Sequence, residues 1–210
     1  MPKTANYKAG DVVVNPITGE RGVVRLGASE SHDGSGVYDL YVQPGGAVAG
    51  EHIHPNMLES FTVLRGRVGF RIDGKESIVE LGAKMTVPIG VAHDWWNVGD
   101  EEAHVLVEVY PAARFEEAIT DLFGLARNGK TNTNGMPKLL QGALFAREYK
   151  DVLYFTKPPL WVQNILFAVL APIAKLLGYQ GSYPEYRTQP RGWVEVEPWP
   201  LTDKENGRAR

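Results

Sequence analysis

The sequence contains no cysteine. No disulfide can staple the fold and no thiolate can hold a metal, so any metal site must be built from histidines and carboxylates. Basic residues are not in excess: 22 Lys and Arg stand against 25 Asp and Glu, for a net charge of −3. A nucleic-acid partner, which favours a strongly basic face, is therefore not expected. Met1 to Gly10 holds no apolar run of the kind a secretory signal needs, so the cytoplasm is the expected compartment. Long hydrophobic runs are also scarce. The most apolar stretch, Leu160 to Leu177, is interrupted by Gln163, Asn164, Pro172 and Lys175, and a spanning helix needs about 20 apolar residues. The stretch reads as a helix buried against the rest of the chain or a partner subunit, with membrane-surface attachment as the alternative. A homodimer is one way to cover such a helix.

What is present is ample core material. Hydrophobic residues make up 43% of 210 residues, enough for one domain of ordinary size plus an addition. The first half reads as β-structure. Val12–Val14 and Gly22–Arg25 flank the turn cluster 15–19, so a hairpin is expected. Residues 28–36 are small and polar, a loop, and 37–43 alternate as a strand. Val68, Phe70 and Ile72 recur with period two and run into Asp73-Gly74, a two-residue hairpin signal, with a returning strand at 77–81. Further strands are expected at 85–87 and 105–109. Many short, evenly spaced strands indicate a sandwich or barrel.

The character changes near Pro111. Phe115, Ile119, Leu122, Phe123 and Ala126 share one helical face. A second helix is expected around Leu139–Leu144, and a third after Pro158-Pro159. The expected organisation is a barrel over 1–111, a helical extension over 112–188 and a surface tail over 189–210.

Two stretches carry the chemistry. From Gly46 the spacing is G-x5-H-x-H-x4-E-x6-G, with His52, His54, Glu59 and Gly66; from Gly82 it is G-x5-P-x-G-x2-H-x3-N, with Pro88, Gly90, His93 and Asn97. His52 and His54 lie two apart, so on a strand both rings project from one face. Glu59 and His93 come from neighbouring stretches. Imidazole and carboxylate donors suit Fe, Mn, Ni, Co, Cu or Zn. One carboxylate against a divalent ion leaves positive charge that attracts an oxygen ligand.

The two stretches resemble the two conserved motifs of the cupin superfamily, and the match holds at every fixed position. The resemblance implies a mainly β fold, a double-stranded β-helix or jelly-roll barrel, carrying here a helical C-terminal extension. It also implies a single divalent transition metal held by His52, His54, Glu59 and His93. Among known cupins, dioxygenases lead the candidate functions, which makes a metal-dependent oxidoreductase on a small organic molecule the leading expectation. A non-oxidative isomerase or decarboxylase, and a non-enzymatic binding or sensing module, are the alternatives, since fold does not choose among them. Strand parity puts Phe61 and Val63 on the pocket wall beside Glu59, and Trp95 and Asn97 beside His93. Asn97 also suits a turn. Tyr41 is a further wall candidate on a strand of unfixed parity. His104, among alternating valines, reads as structural. Glu51, Asp94 and Glu108 have acid–base capacity, but no spacing singles them out.

Overall fold

The structure is a computed structural model that describes residues 7–188 and 192–198. Its strands are β1 (Asp11–Asn15), β2 (Glu20–Leu26), β3 (Gly36–Val42), β4 (His52–Ile53), β5 (Leu58–Arg65), β6 (Val68–Ile72), β7 (Lys75–Val79), β8 (Lys84–Val87), β9 (His93–Asn97), β10 (Ala103–Tyr110), β11 (Tyr154–Phe155) and β12 (Gly192–Trp193). The helices are α1 (Phe115–Arg127), α2 (Leu139–Glu148), α3 (Leu160–Leu176) and α4 (Pro184–Thr188).

Alternating apolar residues on short strands, separated by tight turns, favour two stacked antiparallel sheets. Seven strands form one sheet in the order β12, β1, β2, β3, β10, β5, β8, and five form the other in the order β11, β4, β9, β6, β7. The inner faces meet in a shared core. Phe61 of β5 lies 5.0 Å from Phe70 of β6, ring centre to ring centre, and packs beside Trp95 of β9. This is the mainly β jelly-roll architecture, followed by helices. The Asp73-Gly74 turn takes positive φ at both residues, the conformation that matches strand twist in a two-residue hairpin. The returning strand β7 begins directly after it, at Lys75, so it pairs earlier than the alternation at 77–81 suggests.

The segment after Pro111 is not a detached appendage. α1 packs across β1 and contributes Phe115, Ala118, Leu122 and Phe123 to the barrel core. β11 pairs with β4 and extends the smaller sheet. Two-residue strands such as β11 and β12 have too few residues to show a period, so sequence pattern does not reveal them. The helices are tied together by charge. Arg187 pairs with Asp121 at 3.2 Å and Glu117 at 3.3 Å, and Arg114 pairs with Glu148 at 2.6 Å.

α3 is not buried against the barrel, one of the two places expected for it beside a partner subunit. It rests on α2 through Ala171 and Ala174 against Leu144, and Gln163 ties its first turn to the carbonyls of Phe155 and Pro158. Its other face is open: Trp161 is 68% exposed and Leu176 88%, with Ile165, Val169 and Ile173 also exposed. Of the tail, β12 pairs with β1 at Asp11 and Val12, and Glu197 accepts from Arg25 at 2.7 Å and Tyr41 at 3.2 Å. Residues 189–191 and 199–210 of the expected tail lie outside the described residues.

Candidate metal centre

The two motif stretches meet between the sheets. β4 and β9 are antiparallel neighbours, and His52 lies directly opposite His93. His54 follows β4, and Glu59 enters from β5 of the other sheet. One donor atom from each of these four buried residues lies within 4.8 Å of the others. The ring centres of His52 and His93 are 4.3 Å apart, and those of His52 and His54 are 5.0 Å apart.

The hydrogen bonds around the rings decide what the centre can hold. His54 Nδ1 lies 2.7 Å from the Val152 carbonyl, His52 Nδ1 2.9 Å from the Gly50 carbonyl, and His93 Nδ1 3.2 Å from the Val91 carbonyl. A carbonyl only accepts, so each Nδ1 carries the proton and each Nε2 of a neutral ring presents a lone pair. Two of those lone pairs face one carboxylate oxygen: Glu59 Oε2 is 3.1 Å from His93 Nε2 and 3.4 Å from His54 Nε2. Acceptors this close require a cation, either a proton on the rings or a metal between them. The donor set, the locked tautomers and the convergence all fit a first-row divalent ion.

The electrostatics of the four donors point the same way. Burial pushes the Glu59 carboxyl up, but hydrogen bonding to His54 and His93 outweighs it and holds the group well below the carboxylate range. Burial, with the His93 and His54 charges, holds His52 well below its ordinary value, so its ring stays neutral. Burial also opposes the charged form of His54, yet Glu59 outweighs it and raises that ring.

The centre opens into a cavity between the inner sheet faces and α1, with about 100 Å³ of space for the centres of water-sized molecules. One water needs roughly 10–15 Å³ by that measure, so a small organic molecule fits. Phe61, Trp95, Tyr38, Leu40, Phe115 and Phe123 supply apolar wall, together with Val24 and Val107. Phe61 and Trp95 thus stand where strand parity places them.

Three other expected wall residues lie elsewhere, and the reasons are geometric. Val63 is fully buried but packs in the barrel core beyond the cavity. Asn97 builds a turn: its Nδ2 donates to the Val42 and Glu101 carbonyls, and its Oδ1 accepts from the Gly99 amide. Tyr41 belongs to the outer face, because β3 turns Tyr38 and Leu40 inward. There it stacks on His104 at 4.3 Å under the Arg21 guanidinium. His104 pairs with Asp39 at 2.6 Å, and Asp39 also meets Arg25 at 2.6 Å, a buried cluster that contains none of the four cage residues.

The structure adds residues that pattern reading missed. Glu20 lines the cavity, 5% exposed, with Thr18 Oγ1 donating to its Oε2. Burial pushes its carboxyl up to about 7, against a smaller lowering effect of that hydrogen bond. Glu116 of α1 accepts from the Tyr38 hydroxyl at 3.1 Å and the Ala28 amide at 2.9 Å. Tyr7 donates to Thr120 at 2.7 Å on the same wall. The parity of Glu20 with Gly22 and Val24 on β2 was a usable signal. The inward placement of Glu116 was not, because it depends on where α1 docks.

A two-sheet barrel with three histidines and one glutamate at its centre defines a class of protein. Residues 39–110 match the family described as the cupin domain. Those residues thus carry a cupin domain. It is 28% identical over 152 residues to "Probable oxidoreductase virH" of Hypocrea virens, covering 66% of this chain and 68% of that protein. It is 33% identical over 79 residues to "Polyketide synthase CurC" of Streptomyces cyaneus, covering 38% of this chain and about half, 51%, of that protein. Among solved structures it is similar to the "predicted oxalate decarboxylase" of Thermotoga maritima, at 19% identity and a TM-score of 0.43, over 51% of this chain and 95% of that one. It is also similar to a sugar phosphate isomerase of Silicibacter pomeroyi, at 22% identity and a TM-score of 0.41, over 50% of this chain and 71% of that one. At these scores neither structural likeness speaks to chemistry.

Proposed function

We propose that the protein is a metal-dependent enzyme of oxidoreductase type that acts on a small organic molecule at the His52, His54, Glu59 and His93 centre. The observation that carries this reading is the meeting of three Nε2 lone pairs and one carboxylate at the edge of a cavity large enough for a substrate. A divalent transition metal there supplies Lewis acidity and, for Fe or Mn, a redox couple. The residues of this chain hold it: the three backbone carbonyls fix the imidazole tautomers, and the aromatic walls exclude water from the substrate's apolar body. The name of the Hypocrea virens relative supports the same reaction class.

The test has two stages. Elemental analysis of the protein as isolated is expected to find close to one transition-metal ion per chain. Oxygen uptake is then followed with candidate substrates after loading with Fe(II) or Mn(II). A protein that holds only Zn, and consumes no oxygen with any candidate after Fe(II) or Mn(II) loading, overturns the oxidative reading.

A further inference from the structure

We infer that the cavity beside the metal centre selects a neutral molecule with a ring-sized apolar body that meets the ion through oxygen, and rejects carboxylate and phosphate substrates. This rests on the metal reading and names the substrate class for it. The first observation is a missing charge. Among the described residues lining the cavity there is no lysine or arginine, the side chains that recognise carboxylates and phosphates. The second is an opposing charge. Glu116 faces the cavity as a hydrogen-bonded carboxylate, and Glu20 faces it with no donor from the described residues on Oε1. Glu59 offsets part of the charge of a divalent ion, and Glu116 and Glu20 turn carboxyl oxygens, not cationic donors, towards the same space. The third is the wall chemistry. Phe61, Trp95, Phe115 and Phe123 present flat apolar surface, which suits a ring and leaves the hydration of a phosphate or sugar acid uncompensated.

Cobalt(II)-loaded protein tests this without knowledge of the substrate. Naphthalene-2,3-diol, oxalate and glucose 6-phosphate are titrated separately, and the visible cobalt spectrum and Trp fluorescence are read. The diol is expected to bind about tenfold or more tightly than either anion, because an anion meets like charge in a low-dielectric wall. The double variant Glu20→Gln with Glu116→Gln is expected to narrow that gap by strengthening oxalate binding. Equal or tighter binding of oxalate or glucose 6-phosphate by the unmodified protein overturns the inference and leaves the metal reading standing. A cobalt spectrum identical to free cobalt overturns the metal reading, and this inference with it.

A separate observation concerns α3. We propose that its open face docks on an anionic lipid surface. Trp161, Ile165, Val169, Ile173 and Leu176 form an exposed apolar stripe at helical spacing. Lys157 and Lys175 flank it, and no Asp or Glu occurs from residue 152 to 184. A pairing of two copies offers Lys175 no carboxylate from the helix segment, while Glu51 already bonds Thr156 beside Lys157. Anionic headgroups supply that missing charge. No described helix is long and apolar enough to cross a membrane, so the contact is interfacial. The full chain is sedimented with vesicles of phosphatidylcholine alone, or mixed with phosphatidylglycerol, at low salt. Binding to the mixed vesicles is expected to be roughly tenfold stronger or more. Ile165→Glu with Val169→Glu is expected to abolish it, and Lys157→Glu with Lys175→Glu to remove the preference for anionic lipid. Absence of vesicle binding overturns the proposal. So does a concentration-dependent dimer that the Ile165→Glu, Val169→Glu variant dissociates.

Discussion

Replacing Glu20 with glutamine isolates one buried carboxyl and gives a stability difference whose pH dependence follows from its surroundings. Glu20 is 5% exposed and, among the described residues, receives a hydrogen bond from Thr18. Burial dominates and raises the group from 4.5 to about 7. For an acid whose folded value is raised, the folded state binds the extra proton between those two values. The associated stability is complete below about 4.5, falls as pH rises through the interval, and is gone above about 7. The rise corresponds to roughly 3 kcal/mol. Glutamine keeps an acceptor for Thr18 and never ionises. Urea unfolding of both proteins, in chelator to keep the centre metal-free, is compared from pH 5 to 8.5. The variant's advantage is expected to grow from about 1 kcal/mol or less at the acid end to roughly 3 kcal/mol at the alkaline end. Every other titrating group, the cage histidines included, cancels in the difference. Thr18→Val is expected to move the bend to higher pH, since it removes the interaction that holds Glu20 down. A Glu20→Gln advantage that is the same at every pH refutes the reasoning.

Other outcomes follow from the same geometry. His93→Ala is expected to lower metal affinity by more than the 10–100-fold typical of losing a group that merely supports a ligand, read by elemental analysis after dialysis. His104→Ala is expected to leave the metal content unchanged and cost roughly 1–3 kcal/mol in urea unfolding, because it strips a partner from buried Asp39 outside the cage. Free metal at a hundred times its dissociation constant is expected to stabilise the protein by about 2.7 kcal/mol, read as a rise in melting temperature that His93→Ala abolishes. Gly124→Ala is expected to destabilise by roughly 1–3 kcal/mol, since its new methyl group meets the Tyr186 ring packed on α1.

Much of the barrel was legible because period-two patterning and turn residues act locally. The hairpin at 11–26, the Asp73-Gly74 turn and the strand at Ala103–Tyr110 all rest on signals carried by a few adjacent residues. Phe61 and Trp95, beside the donors on continuous strands, line the cavity that parity suggested. Parity failed for Val63, because facing inward on a strand is not the same as facing the cavity. It failed for Asn97, whose amide satisfies backbone groups at the strand end. For Tyr41 the sequence offered no parity anchor, and the side chain lies on the opposite sheet face. The apolar content of α3 pointed to burial against the chain or a partner subunit, and within the chain one side of it stays open.

The sequence by itself determined the identity of the donors. Their spacing is a local property, and strand alternation converts a two-residue interval into two rings on one face. What only the tertiary structure decided is the state of those donors and the space in front of them. The carbonyl that fixes the His54 tautomer belongs to Val152, nearly a hundred positions away. The glutamates facing the cavity arrive from β2 and from a helix beyond the barrel motif. Contacts at such separations are set by packing of the whole chain, and no window of sequence contains both partners. The clustering of these four residues was therefore readable in advance, while the charge and shape of the cavity beside them came only with the fold.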